Sequence, residues 1–161
     1  MPRQLDNLVF DRTQSDVERV KQLTAALVAG TATAAERAEF VAGLKGAYNS
    51  TDLNRVGAAV EYLRDRLSDD AGTYVNVSPK TDWTETDIPE QQQAAQYIAD
   101  IQNIRAAFIL PENTPPAPES LSNLTYSQAN NIETILQNLD KTIESLKITL
   151  ITSGEVFSGE V

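Results

Sequence analysis

The sequence contains no cysteine and no histidine. Disulfides, thiolate nucleophiles, zinc sites built on Cys or His, and catalytic triads that use His are therefore excluded. Only carboxylate, Lys and Tyr chemistry, or a metal site made of carboxylate oxygens, remains open. The chain also lacks an apolar run of about 18 residues and begins without an apolar segment of signal-peptide length. We therefore expect no membrane span and synthesis in the cytoplasm of the producing cell.

Positive charge is scarce as well. The 161 residues carry 13 Lys and Arg against 23 Asp and Glu, a formal net charge of −10. The basic residues are scattered, whereas phosphate binding needs them clustered, so we expect no nucleic-acid partner. The acidic excess favours solubility and mutual repulsion. Hydrophobic residues make up 41% of the chain, enough for one helical domain over residues 1–161.

Apolar residues recur at spacings of three and four in three long segments, the pattern of an amphipathic helix. The central segment, 48–67, is followed by similar ones at 94–108 and 129–146. Two shorter helices precede them, opened by Thr13 and by a capping box of Thr33 and Glu36. The second is expected to reach about Leu44. Its predicted inward residues are Phe40, Val41 and Leu44. The sequence thus predicts a mainly α protein, a bundle of about five helices.

Four stretches are predicted to be non-helical. Tyr74, Val75 and Val77 alternate with polar neighbours, which predicts a short β element near 73–78. Residues 111–120 form a Pro-rich connector of extended character, and residues 1–12 an N-terminal arm. At the C-terminus, β-branched residues and a repeated SGEV predict an extended strand or arm over 150–161.

The third helix carries two unusual features. Gly57 costs about 1 kcal/mol relative to Ala inside a helix, so we expect a neighbouring segment to approach closely there. On a helical wheel Arg55, Tyr62 and Arg66 lie away from the apolar face. That arrangement is typical of a solvated face, but it is also compatible with a second interface.

Trp83 stands in a loop among carboxylates. An aromatic ring in this setting could stack on a sugar, although a lone Trp more often anchors its loop to the core. The neighbouring acids could in principle catalyse glycoside hydrolysis if two were held about 5 to 9 Å apart. Capping of the fourth helix is the simpler interpretation, and an EF-hand is excluded by the spacing. We predict no enzyme, no catalytic residue, no metal and no cofactor. The acids concerned are Asp82, Glu85, Asp87 and Glu90.

Five segments carry a family resemblance, in this order along the chain: VFDRTQSDVERV, LKGAYNSTDLNRVGAAVEYL, KTDWTETDIP, LTYSQANNIETIL and SGEVFSGEV. Together they resemble a group of small, poorly characterised proteins encoded in phages and prophages of Gram-positive bacteria, typically beside tail and baseplate genes. The resemblance spans nearly the whole chain and departs mainly in the Gln-rich and Pro-rich connections.

The resemblance implies a structural or adaptor component of a virion, in the tail, fibre or baseplate region. Other phage structural proteins would be its partners, in a homo-oligomer or a hetero-complex. Alternatives are a receptor- or carbohydrate-binding module of the tail tip that uses Trp83, with Tyr74 and Tyr97, and a head decoration or head–tail joining protein. The predicted interface residues are Arg55, Tyr62, Arg66, Trp83, Val156, Phe157 and Val161.

Overall fold

A computed structural model describes residues 5–158, with side chains described for 5–150. Within this part of the chain there are five α-helices. The mainly helical class predicted from the sequence is confirmed. The helices are α1 (Gln14–Val28), α2 (Ala34–Ala42), α3 (Ser50–Ala71), α4 (Gln91–Ala106) and α5 (Tyr126–Ser158).

The helix starts are set by local side-chain caps. Thr13 with Asp16 and Thr33 with Glu36 form reciprocal capping boxes, which satisfy backbone N–H groups that have no partner inside the helix. Helix α3 begins at Ser50. Asn49 is its cap, and the side chain of Asp52 accepts the Asn49 N–H at 3.0 Å.

Helices α3, α4 and α5 pack against one another and enclose the main core. The apolar faces predicted for these three helices lie inward, because spacings of three and four place side chains on one side of a helix. Loop residues complete this core from outside the helices. The largest fully buried apolar side chains of this core are those of Val56, Leu63, Leu67, Ile101, Ile104, Ile132, Ile135, Leu136, Leu139 and Ile143.

Helices α1 and α2 pack chiefly against each other, and we call this pair the α1–α2 hairpin. Leu23 is completely buried but does not belong to the main core. The predicted inward face of α2 is wrong, because Phe40 and Val41 are exposed and the helix ends at Ala42. A three–four spacing places such residues on one face without showing that another element covers it.

The loop between α2 and α3 holds the hairpin to the main bundle. A Cβ added at Gly46 would overlap the carbonyl group of Asp16, so the loop backbone lies directly on the start of α1. The Lys45 ammonium also lies 3.1 Å from Asp11 and 3.7 Å from Asp16. The close approach at Gly46 explains why a residue without a side chain stands there.

Residues 73–78 do not form the predicted β element. The chain has no regular secondary structure there, and Val75 and Val77 are buried while Tyr74 is exposed. The predicted alternation of buried and exposed side chains is therefore present. No second strand pairs with this segment among residues 5–158. Side chains of α4 bind its backbone instead. Asp100 accepts the Ser78 N–H, and Asn103 donates to the Asn76 carbonyl.

The predicted C-terminal strand or arm over 150–161 is also wrong as far as the chain is described. Helix α5 continues without a break to Ser158, while 159–161 lie outside the described residues. Ile and Thr are only slightly poorer helix formers than Leu. Because a helix that already exists gains one hydrogen bond for each added residue, continuation outweighs the weak β preference of this segment.

The described part of the N-terminal arm and the Pro-rich connector both lie against the bundle. Leu8 belongs to the main core and Arg12 is buried. In the connector, the guanidinium of Arg105 donates to the carbonyls of Thr114 and Pro115, at 3.1 and 2.9 Å. Asn138 of α5 donates to the Thr114 hydroxyl at 3.0 Å. The connector is thus fixed to α4 and α5 by its own polar groups.

Candidate functional site

Arg55, one of the predicted interface residues, faces into the protein rather than toward a partner. Its guanidinium donates to Glu133 of α5 at 2.6 and 3.0 Å and to Asp52 at 2.5 Å. Arg12 donates to the same two carboxylates, at 2.7 and 2.8 Å. We call Arg12, Asp52, Arg55 and Glu133 the buried ion cluster. Its formal charges cancel, two positive against two negative.

Glu133 is the centre of this cluster. It has 0% of its surface exposed, and both of its oxygens are hydrogen bonded. Besides the two arginines, the backbone N–H of Val9 donates to it at 2.5 Å. Burial lowers the pKa of Arg55, but hydrogen bonds and charge from Glu133 and Asp52 outweigh burial and raise this pKa above its ordinary value. The cluster joins the N-terminal arm, α3 and α5.

Tyr62 and Arg66 lie about two and three turns further along α3 than Arg55. Arg66 binds Asp140 and Glu144 of α5, at 2.5 and 2.8 Å, and Asp70 of its own helix at 3.0 Å. Its guanidinium lies 6.0 Å from the ring centre of Tyr62. Burial lowers the pKa of Arg66, and these carboxylates raise it above its usual range. This second ion cluster also joins α3 to α5, so neither arginine has a free guanidinium.

A pair of tyrosines lies beside the buried ion cluster. The hydroxyls of Tyr48 and Tyr97 are 2.6 Å apart, and the Arg12 guanidinium lies 5.5 Å from the ring centre of Tyr48. Burial raises the pKa of both hydroxyls above the ordinary value. The folded protein therefore holds these two protons more tightly than the unfolded chain does.

We expect this pair to make the protein sensitive to alkali. Stability from a group with a raised pKa is complete below the unfolded value of about 10 and decreases above it, by about 1 kcal/mol per pH unit for each hydroxyl. Chemical denaturation at several pH values above about 8 measures the slope. The double variant Tyr48→Phe/Tyr97→Phe should flatten it, whereas Tyr74→Phe, at an exposed position, should leave it unchanged. An equal slope in all three proteins would contradict the assignment.

Trp83 is only 6% exposed and belongs to the main core. Its backbone is held by Asn54 of α3, which accepts the Trp83 N–H and donates to the Trp83 carbonyl, both at 2.8 Å. The Lys80 ammonium lies 5.0 Å from the ring centre. These contacts agree with the loop-anchor interpretation and leave no open ring face on which a sugar could stack. Tyr97 is buried too, and only Tyr74 is exposed.

The acids around Trp83 are exposed and make short local contacts. Asp87 accepts the Thr84 N–H at 2.7 Å, and Asp82 pairs with Lys80. Asp87 borders a surface cavity, but no second acid is among the residues that line it. Among the described residues, no three acids are placed to hold a metal ion.

The remaining predicted interface residues lie at the end of the chain. Val156 and Phe157 belong to the last turns of α5, where side chains are not described, and Val161 lies outside the described residues. Within residues 5–158, no helix is both long enough and apolar enough to cross a membrane.

Two buried acids were not predicted from the sequence. Glu133 and Asp100 are buried, and each stands next to an apolar residue of a core-facing helix stripe, Ile132 and Ile101. In the sequence, burial of these acids is indicated by their position at the edge of an apolar helix face. Because buried charges are costly unless they are paired, that position would have indicated a partner elsewhere in the chain.

Large apolar side chains are exposed on the α1–α2 hairpin. Val28 is 85% and Val41 86% exposed, and Phe40 is partly exposed. Val20 and Val28 also line a shallow, mostly apolar groove along α1. The hairpin thus presents apolar surface that no described part of the chain covers.

No protein family, curated protein or solved structure matches the chain.

Proposed function

We propose that this protein is a structural or adaptor component of a bacteriophage or prophage-derived virion, in the tail, fibre or baseplate region. It acts by protein–protein contacts and not by catalysis, with other phage structural proteins or further copies of itself as partners. Its place of action is the virion, after synthesis in the host cytoplasm. The proposal rests on the resemblance of five sequence segments and on one property of the surface.

That property is the exposed apolar surface of the α1–α2 hairpin. Scattered exposed apolar residues are normal on a protein surface, but a groove lined by them on a peripheral element is typical of an interaction site. The arginines first considered for an interface serve internal ion pairs instead. We therefore assign the contact surface to the hairpin, with Val28, Phe40 and Val41 as its principal residues, in place of Arg55, Tyr62, Arg66 and Trp83.

Purified particles provide the first test. If the proposal holds, mass spectrometry of virions, with tails and heads separated, should detect this chain in a fixed ratio to a major tail protein. Consistent absence from both fractions would contradict a virion role. Recovery with heads alone would favour the head decoration or head–tail joining alternative.

The hairpin itself is tested with matched substitutions. Val28→Ser combined with Val41→Ser should lower incorporation into particles at least tenfold, because it removes apolar contact area without changing the core. The control is Ile109→Ser, which changes an equally exposed apolar residue outside the hairpin. If both variants enter particles as well as the unchanged protein, the hairpin is not the contact surface.

A further inference from the structure

A small, partly open cavity lies between the loop that carries Trp83 and helix α4. Its volume is about 180 Å³. An apolar cavity of about 150 Å³ is large enough to bind benzene, so a small organic group fits here. The side chains around this cavity are largely polar. It is lined by Ser78, Lys80, Trp83, Gln93, Gln96, Tyr97 and Asp100.

Two of the lining side chains carry a buried polar atom without a partner. The indole N–H of Trp83 and the Oδ2 atom of Asp100 make no hydrogen bond to any described residue. Both residues are more than nine-tenths buried, at 6% and 2% exposure. Buried polar groups in native proteins are nearly always hydrogen bonded, so an unpaired one needs an explanation. The two residues line the same cavity, one with an unpaired donor and the other with an unpaired acceptor.

The other oxygen of Asp100 already binds amide N–H groups. Oδ1 accepts the backbone N–H of Ser78 at 3.1 Å and the side-chain amide of Gln96 at 2.8 Å. One carboxamide is therefore already held by Asp100. Oδ2 has the same capacity to accept a hydrogen bond from an amide nitrogen.

We infer that this cavity is a binding site for a primary carboxamide group. The amide nitrogen donates to Asp100 Oδ2, and the amide oxygen accepts the indole N–H of Trp83. A carboxamide carries a donor and an acceptor on adjacent atoms, which matches the two unpaired atoms of the site. Carboxamide binding at this cavity does not depend on the assembly role proposed above.

Lys80 controls access to the site. Its ammonium lies over the Trp83 ring and pairs with Asp82, whose side chain is 84% exposed. Because exposed ion pairs are weak, Lys80 can move aside and admit a ligand to the two buried atoms.

The single tryptophan gives a direct measurement. The protein has one indole N–H signal in a proton–nitrogen NMR spectrum, and that proton is the proposed donor. We expect propionamide and L-glutamine to shift this signal in a saturable manner. Propionate and L-glutamate, which replace the amide NH₂ by an anionic oxygen, should leave it at least tenfold less responsive.

Asp100→Asn tests the acceptor. Ser78 and Gln96 require an oxygen at the Oδ1 position, so the new amide nitrogen occupies the Oδ2 position and faces the ligand as a donor. We expect amide binding to weaken at least tenfold. Asp69→Asn, at an exposed position of α3, is the matched control and should bind as the unchanged protein does. If Asp100→Asn does not fold, the comparison of amide with carboxylate probes decides alone.

Three results would overturn the inference. The first is an indole signal that no probe moves. The second is an equal response to propionamide and propionate, which would show that the NH₂ group is not recognised. The third is a response to N-acetylglucosamine without one to either primary amide, which would assign the cavity to a sugar.

Discussion

Replacing Glu133 with Gln is expected to lower the free energy of unfolding by about 3–5 kcal/mol. Glu133 is completely buried and accepts hydrogen bonds from Arg12, Arg55 and the Val9 backbone. Without its charge, two guanidinium groups share the single carboxylate of Asp52. The positive charge that remains in the interior is then uncompensated, and the unfolded chain relieves it by exposing both arginines to water. Urea denaturation followed by far-UV circular dichroism measures the loss.

Glu144→Gln is the matched control for this prediction. Glu144 binds Arg66 at 2.8 Å, but its side chain is 40% exposed, and Arg66 keeps Asp70 and Asp140 as partners. Ion pairs with this exposure contribute about 0–1 kcal/mol, so we expect a loss below about 1 kcal/mol. Equal losses in the two variants would show that burial of the ion cluster does not set its contribution to stability.

Replacing Gly57 with Ala is expected to destabilise the protein by about 1–3 kcal/mol, although helix propensity alone predicts a gain of about 1 kcal/mol. A Cβ at this position would lie 2.6 Å from the carbonyl oxygen of Lys80 and 3.2 Å from Thr81 Cγ2. A backbone carbonyl cannot rotate away as a side chain can. The loop must therefore lift from α3, even though Asn54 binds the Trp83 backbone nearby.

Whether the free energy of unfolding falls or rises in Gly57→Ala decides between the steric clash and the gain in helix propensity. Ser68→Ala, at an exposed site of the same helix, raises helix propensity without the clash and should stabilise by no more than about 0.5 kcal/mol. Trp83 fluorescence adds a local readout, because lifting the loop exposes the indole and shifts its emission to longer wavelength. A stabilised Gly57→Ala variant with unchanged emission would contradict the close packing of the loop on α3.

The close contact at Gly57 was only partly predictable from the sequence. Glycine inside a strong amphipathic helix indicated that another segment comes close, and the loop before Trp83 is that segment. The identity of the segment was not predictable, since nothing in residues 50–71 specifies what crosses the helix. For the candidate site, the sequence identified Trp83 as an anchor but gave no sign that it shares a cavity with Asp100.

Local structure follows from neighbouring residues in the sequence. Capping boxes at Thr13, Thr33 and Thr125 fixed three helix starts, and Gly72 in a left-handed conformation ended α3. Spacings of three and four then specified which faces of α3, α4 and α5 are apolar. Each of these features depends on residues a few positions apart, so a reading along the chain is sufficient to predict them.

The partners of the polar helix faces, in contrast, depend on how the helices pack. A helical wheel placed Arg55 and Arg66 opposite the apolar face of α3, but their partners, Glu133, Asp140 and Glu144, are more than 70 positions further along the chain. The same limit applies to residues 73–78, whose alternation was correct but whose neighbours are helix side chains. Burial, pairing and strand formation are properties of two segments at once, and the fold alone determines which segments meet.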